Sequence, residues 1–177
     1  MKNDKDSLTQ QQRDLLVGLL LGDGHLESQT NGRTFRLKVE HSEAQRDYVE
    51  WLFQNFKSVC DQQAVYRRER TDGRVSVGFT TRGSGTFRFY AQQFYVGKKK
   101  RVPTFIHKML TPQSLAVWFM DDGSRKSSRH HTYNIHTLAY SKVDLEFVQE
   151  QLQALFGLHT TLHKQRSNSW RLYIGAT

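Results

Sequence analysis

The sequence predicts an α+β fold of two pseudo-symmetric halves. Each half reads as αββαββ(α), a curved antiparallel sheet with helices on one face, and the halves join through a pair of apolar helices. Three observations predict this. Two apolar segments end in an acid and a glycine, "LLVGLLLGDG" at 15–24 and "LAVWFMDDG" at 115–123. Asp122 follows Asp23 by 99 residues, and Ser141 follows Ser42 by the same interval. Similar alternating and helical segments follow each acid, which marks a duplication.

The elements follow in chain order. A first helix is expected from about Thr9 to Asp23, stopped by Gly24. "TFRLKVE" (34–40) alternates Phe35, Leu37 and Val39 with Arg36, Lys38 and Glu40, the pattern of a half-buried strand. Ser42 is the expected N-cap of an amphipathic helix, with Gln45 completing a capping box. Ala44, Tyr48, Val49, Phe53 and Phe56 form that helix's apolar stripe. "AVYRRER" and "VSVGFT" flank "TDGR", whose Asp-Gly pair favours a hairpin turn. In "GTFRFYAQQFY", Phe87, Tyr90, Ala91 and Phe94 fall at helical spacing.

The second half repeats the order. Thr111 caps the next helix and Pro112 suits its first position. "YNIHTL" (133–138) alternates too poorly to assign its faces. Ser141 opens a helix with Asp144 three residues on, and Val143, Phe147, Val148, Leu152 and Leu155 superimpose on the first stripe. "TTLHKQR" and "WRLYI" form the last hairpin across "SNS". The organisation expected is a first repeat at 1–97, a basic linker at 98–111 and a second repeat at 112–177 lacking its terminal helix. A shortened form of a longer protein is the corresponding expectation, with Trp170, Leu172 and Ile174 partly exposed.

The 177 residues carry 26 Lys and Arg against 17 Asp and Glu, a formal charge of +9. Such an excess fits a phosphate-rich partner. Alternation places Arg36, Lys38, Arg74, Ser76, Thr80, Arg171 and Tyr173 on the sheet faces away from the helices. Arg68, Arg70, Lys98, Lys99, Arg125, Lys126, Lys164 and Arg166 add cations to the same expected DNA surface. A plain solvated sheet face is the alternative, but the cationic bias favours a DNA groove. Cys60 is the single cysteine, so no intramolecular disulfide forms. No apolar run reaches the ~20 residues of a membrane span, and the N-terminus does not read as a signal peptide. The reading is intracellular, in a bacterial cytoplasm or an organelle matrix, without a membrane partner.

The acids at the helix ends carry the chemistry. A carboxylate beside the negative end of a helix dipole is unfavourable by roughly 0.3–1 kcal/mol. Packing two such helices side by side, with Gly18 and Gly22 permitting close approach, brings Asp23 and Asp122 together. Two carboxylates and the orphan carbonyls of two helix ends make a hard oxygen site suited to Mg²⁺, with Mn²⁺ or Ca²⁺ in its place.

These segments resemble the paired motifs of the LAGLIDADG homing endonucleases, in the single-chain, two-motif form. "KKKRVP" and "LTPQSLAVWFMDDG" resemble the linker and second motif of monomeric members, so the joining pair would be LAGLIDADG helices. The resemblance implies a monomer that hydrolyses both strands of a long, specific double-stranded DNA site with divalent metal. It carries metal binding to Asp23 and Asp122, with carbonyl ligation from Gly22 and Asp121. It makes Lys100 the basic residue near a scissile phosphate, although Lys100 also reads as one lysine of a basic linker. Leu21 replaces the first acid of the ideal motif, and Val117 and Trp118 replace Gly and Leu, which predicts an asymmetric helix interface. No second-half partner for Lys100 is identifiable.

Two rivals compete with this reading. A zinc or histidine-nuclease site finds little support: one Cys is present, and His159 and His163 in one strand lie over ~13 Å apart at ~3.3 Å per residue. An intron RNA maturase or a non-cleaving DNA-binding protein of the same fold is the second. Both motif acids are present in either case, and cleavage under Mg²⁺ discriminates.

Overall fold

The computed structural model describes residues 7–127, 130–165 and 169–175. Helix α1 (Gln10–Leu21) leads into strands β1 (His25–Glu27) and β2 (Arg36–Ser42), helix α2 (Arg46–Phe56), strands β3 (Tyr66–Glu69) and β4 (Val75–Thr80), and helix α3 (Thr86–Phe94). A two-stranded ribbon, β5 (Tyr95–Val96) and β6 (Lys99–Lys100), precedes helix α4 (Pro112–Asp122). Strands β7 (Gly123–Ser127) and β8 (His130–Ile135), helix α5 (Lys142–Phe156), and strands β9 (Thr160–Lys164) and β10 (Trp170–Ile174) complete the second half. The αββαββ repeat is therefore present. The sheets are ordered β1-β2-β4-β3 and β7-β8-β10-β9, with every pairing antiparallel. No helix among the described residues is long and apolar enough to cross a membrane.

Alternation sets the inner face of the first sheet. Leu37, Val39, Val77 and Phe79 are fully buried. Helix α2 covers them: the rings of Phe53 and Phe56 lie 5.8 and 6.0 Å from that of Phe79. Helix α3 buries Phe87, Tyr90, Ala91 and Phe94, the four positions its spacing selects.

Helices α1 and α4 pack against each other at the centre. Thr9 and Thr111 cap them through full capping boxes, and Pro112 occupies the first turn of α4. Gly18 is required for their approach, since a Cβ there would overlap the Ser114 carbonyl oxygen and stand 2.7 Å from Val117 Cβ. A Cβ at Gly22 would overlap the Asp121 carboxylate. The interface is thus asymmetric, with α1 supplying notches and α4 the side chains that fill them.

The structure departs from expectation in several places. Helix α1 ends at Leu21 with Gly22 as its cap, so Asp23 stands just outside the helix, whereas Asp122 is the last residue of α4. Gly22 leaves helical geometry at φ −96, ψ −134, before Gly24 can act as the stop. Ser42 makes no side-chain cap bond, because a short 3-10 turn at Glu43–Gln45 intervenes before α2; Ser141 does cap α5 through the Asp144 N–H. Of the superimposed stripes, Val143 and Leu155 are exposed and Ala44 is too, while Leu145, Val148 and Leu152 form the buried face of α5. Finally, Leu172 is fully buried, against the partial exposure expected of its strand; Trp170 and Ile174 are only half-buried.

Candidate active site

The ends of α1 and α4 meet, and three carboxylates converge there with one ammonium. Lys100, delivered by β6, donates from Nζ to the carbonyl oxygens of Gly22 and Gly24, the latter at 2.7 Å. Burial drives the Lys100 pKa down to about 8, opposed by the charges of Asp122, Asp23 and Asp121. One ammonium thus sits on two main-chain oxygens among three carboxylates.

The acids differ in their surroundings. The Asp23 side chain is 54% exposed. Burial raises the Asp122 carboxyl to about 7, and the negative charges of Asp23 and Asp121 add to that rise. The Asp121 side chain has no exposed surface, and burial raises it to about 7 as well. It turns inward: Oδ2 accepts from the Asp23 N–H at 2.9 Å and Oδ1 from the Tyr48 hydroxyl at 2.8 Å. His41, almost wholly buried, lies between the acids, with Nε2 3.5 Å from Asp121 Oδ1 and Nδ1 3.8 Å from Asp23 Oδ2. Burial lowers the His41 pKa, and the Asp23 charge counters it. From the other half, the Tyr140 hydroxyl donates to the carbonyl of Leu21 at 2.8 Å and reaches that of Leu20 at 3.3 Å.

His41, Tyr48, Tyr140 and the Asp121 carboxylate escape a reading of the sequence. A signal for two of them is nonetheless present. His41 and Tyr140 stand immediately before Ser42 and Ser141, so the 99-residue repeat relates them, and each reaches towards the opposite motif. Tyr48 has the spacing of a stripe residue, and its ring is indeed packed on the core.

The expected basic residues of the first sheet gather on its open face. Asp23, His25, Lys38, Arg68, Arg70, Arg74 and Ser76 line a cleft of about 490 Å³. Arg36, Lys38, Arg68 and Thr80 line a neighbouring one of about 370 Å³. Glu40 organises this face, accepting from Ser76 Oγ at 2.9 Å, the Tyr66 hydroxyl at 3.0 Å and Arg70 at 3.3 Å, with Lys38 at 3.7 Å. Burial pushes its carboxyl up, but these donors outweigh burial and hold it at about 2. In the second sheet, His163 stacks on Tyr173 at 3.9 Å and Lys126 Nζ lies 5.9 Å from the same ring. Arg125 and Lys164 are exposed, and Arg171 is half-buried. Lys98 lines a more apolar cleft with Phe35, Ala91 and Tyr95, and Lys99 is exposed. Arg166 lies outside the described residues.

No group of three or more His, Cys, Asp or Glu side chains among the described residues is arranged to hold a metal. A cation here would take its oxygens from the two motif carboxylates and main-chain carbonyls, of which Lys100 engages the Gly22 carbonyl.

A duplicated α+β fold with paired acid-ended helices over two basic sheets defines a DNA-processing protein of the two-motif type. The profile of the LAGLIDADG DNA endonuclease family matches residues 13–177, and the chain belongs to that family. It is similar to DNA endonuclease I-ChuI of Chlamydomonas applanata, 32% identical over 94% of this chain and 82% of that one. It is also 22% identical to cytochrome b mRNA maturase bI2 of Debaryomyces hansenii, over 92% of this chain and 63% of the maturase. Among solved structures, the homing endonuclease I-WcaI bound to its DNA recognition sequence shares the fold at a TM-score of 0.84. That match has 24% identity and covers 96% of this chain and 77% of I-WcaI.

Proposed function

We propose that this protein is a monomeric, site-specific DNA endonuclease that hydrolyses both strands of a long target using a divalent metal, Mg²⁺ in the cell. One observation carries the reading: an acid from each motif helix meets the other, with a buried ammonium in their midst, beside two basic sheets. Residues 1–97 and 112–177 act as the two halves, joined by 98–111.

The sheet faces bind the DNA. Arg36, Lys38, Arg68, Arg70, Arg74, Ser76 and Thr80 serve one half-site, and Arg125, Lys126, Lys164, Arg171 and Tyr173 the other. Phosphate contacts fix the register, and side chains in the groove read base edges. Asp23 with the Gly22 carbonyl, and Asp122 with the Asp121 carbonyl, hold divalent metal, one pair nearer each scissile phosphate. When bound, such a cation polarises the scissile phosphates, activates water and stabilises the leaving 3′ oxygen. Lys100, whose pKa burial lowers to about 8, is placed to offset negative charge on a scissile phosphate. Burial excludes bulk water from the Asp121 side chain, which strengthens the charge interactions it makes.

A second reading, an RNA maturase, draws on the likeness to maturase bI2. Selection from a randomised duplex library in Mg²⁺ separates the two. A discrete cleaved sequence is expected, and recovery of none, with splicing of an intron RNA instead, would overturn the proposal.

A further inference from the structure

The two motif acids are presented by different means. Both helices close at their C-caps in the ordinary way, Gly22 N–H on the Gly18 carbonyl and Gly123 N–H on that of Phe119. Asp122, however, is still the final residue of its helix, and its own carbonyl accepts the His136 N–H at 2.9 Å. Asp23 has left its helix, and its backbone is held by groups from elsewhere. The Asp121 carboxylate accepts the Asp23 N–H, while the Tyr140 hydroxyl donates to the last carbonyls of α1. The motif has no equivalent crossing the other way, because the residue that the repeat pairs with Asp121 is Gly22. Any side chain at Gly22 would collide with Asp121.

We infer that Asp121 is a positioning residue for Asp23: its buried carboxylate, braced by Tyr48, fixes the Asp23 backbone and with it the Gly22 carbonyl and the Asp23 side chain. This deepens the endonuclease reading and rests on it for strand cleavage alone. The carboxylate itself is not a metal ligand, since both of its oxygens are engaged and it faces inward. His41 completes the brace, filling the space between Asp121 and Asp23 and meeting the Tyr48 ring edge-on at 5.5 Å. The two halves of the site are therefore held unequally. The Asp23 half depends on a side-chain bond that crosses between motifs, and the Asp122 half depends on its own helix and a main-chain bond from its own repeat.

Asp121→Ala removes the acceptor and leaves the Asp23 N–H and the Tyr48 hydroxyl without partners. Asp121→Asn retains one oxygen for the Asp23 N–H, and its amide can donate to the Tyr48 oxygen. Tyr48→Phe removes only the brace and keeps the core packing. Two measurements on the full chain test the inference: calorimetric titration with Ca²⁺ alone, and cleavage of a duplex with each strand labelled separately. For Asp121→Ala, Ca²⁺ affinity should fall about tenfold or more, and one strand should be cut at least tenfold more slowly than the other, so that nicked DNA accumulates. Tyr48→Phe should shift both in the same direction by two- to fivefold, and Asp121→Asn should restore the strand ratio to within about twofold of the parent.

Equal slowing of both strands, or unchanged Ca²⁺ affinity in Asp121→Ala and Tyr48→Phe, would overturn the inference and leave Asp121 a packing residue. If the parent chain cuts no DNA, the endonuclease reading fails while the Ca²⁺ titration still decides whether Asp121 positions Asp23.

Discussion

Lys100 occupies a place that a divalent cation would contest, and the titration of the surrounding acids says when. Burial first, and then the charge of Asp23, raise Asp121 and Asp122 to about 7 from an ordinary value near 4. Between those values the folded, metal-free protein holds protons that the unfolded chain has released. Its stability should therefore be fullest below about pH 4, as far as these two groups are concerned, and decline as pH rises through 7. Metal competes with the proton on Asp122, so Ca²⁺ affinity should weaken by up to about tenfold per unit as pH falls below 7. A flat calorimetric profile from pH 6 to 8 would contradict this. Asp23→Asn and Asp122→Asn should each reduce double-strand cleavage at least a hundredfold yet leave DNA affinity within a few fold, because each removes a ligand and also a charge that repels phosphate. Gel-shift and cleavage assays on the same preparations check both halves of that statement. Glu40 is a different kind of acid, held ionised to about pH 2 by the cations and hydroxyls it organises. Glu40→Gln should raise affinity for non-target DNA severalfold while lowering discrimination, and paired target and non-target titrations would show it.

At the scale of elements, the α1–α4 contact has least room for change. Gly18→Ala puts a methyl into the space of Val117 and the Ser114 carbonyl, and such overpacking costs roughly 1–3 kcal/mol. Thermal unfolding should register it as a lowered midpoint. The two outer hairpins should differ as well. In β4, Ser76 to Phe79 are all buried, while β10 buries only Leu172. Amides at 160–174 should exchange faster than those at 66–80, and equal protection would refute this. Most of these elements are legible in the sequence, because alternation, capping residues and the Asp-Gly turn are local signals. Thr111 with Pro112, Ser141 with Asp144, and the four apolar positions of α3 all behave as their spacing predicts. Where local signals mislead, a tertiary contact has intervened. Gln45 closes no box on Ser42 because a 3-10 turn comes first, and α1 stops early where Asp121 needs the space at Gly22. The repeat brings Asp23 and Asp122 into view, but the inward turn of Asp121 and the reach of Tyr140 across 119 residues to Leu21 exist only in three dimensions.

The whole molecule should respond to salt as a polycation on a duplex does. Its formal charge is +9, with basic side chains on both sheet faces, and a complex with six to ten phosphate contacts loses roughly 10³–10⁵ in affinity between 50 and 200 mM salt. A shallow slope in a binding titration would point to a partner other than nucleic acid.

The notched meeting of α1 and α4 bears on each half alone as well as on the molecule. Two first halves would set Gly18 against Gly18 and leave a gap; two second halves would drive Val117 into Val117. Neither half can any longer find a mate in its own copy. Repetition in the sequence is complementarity in the structure, and a chain reduced to either half would lack the face that its motif helix packs against.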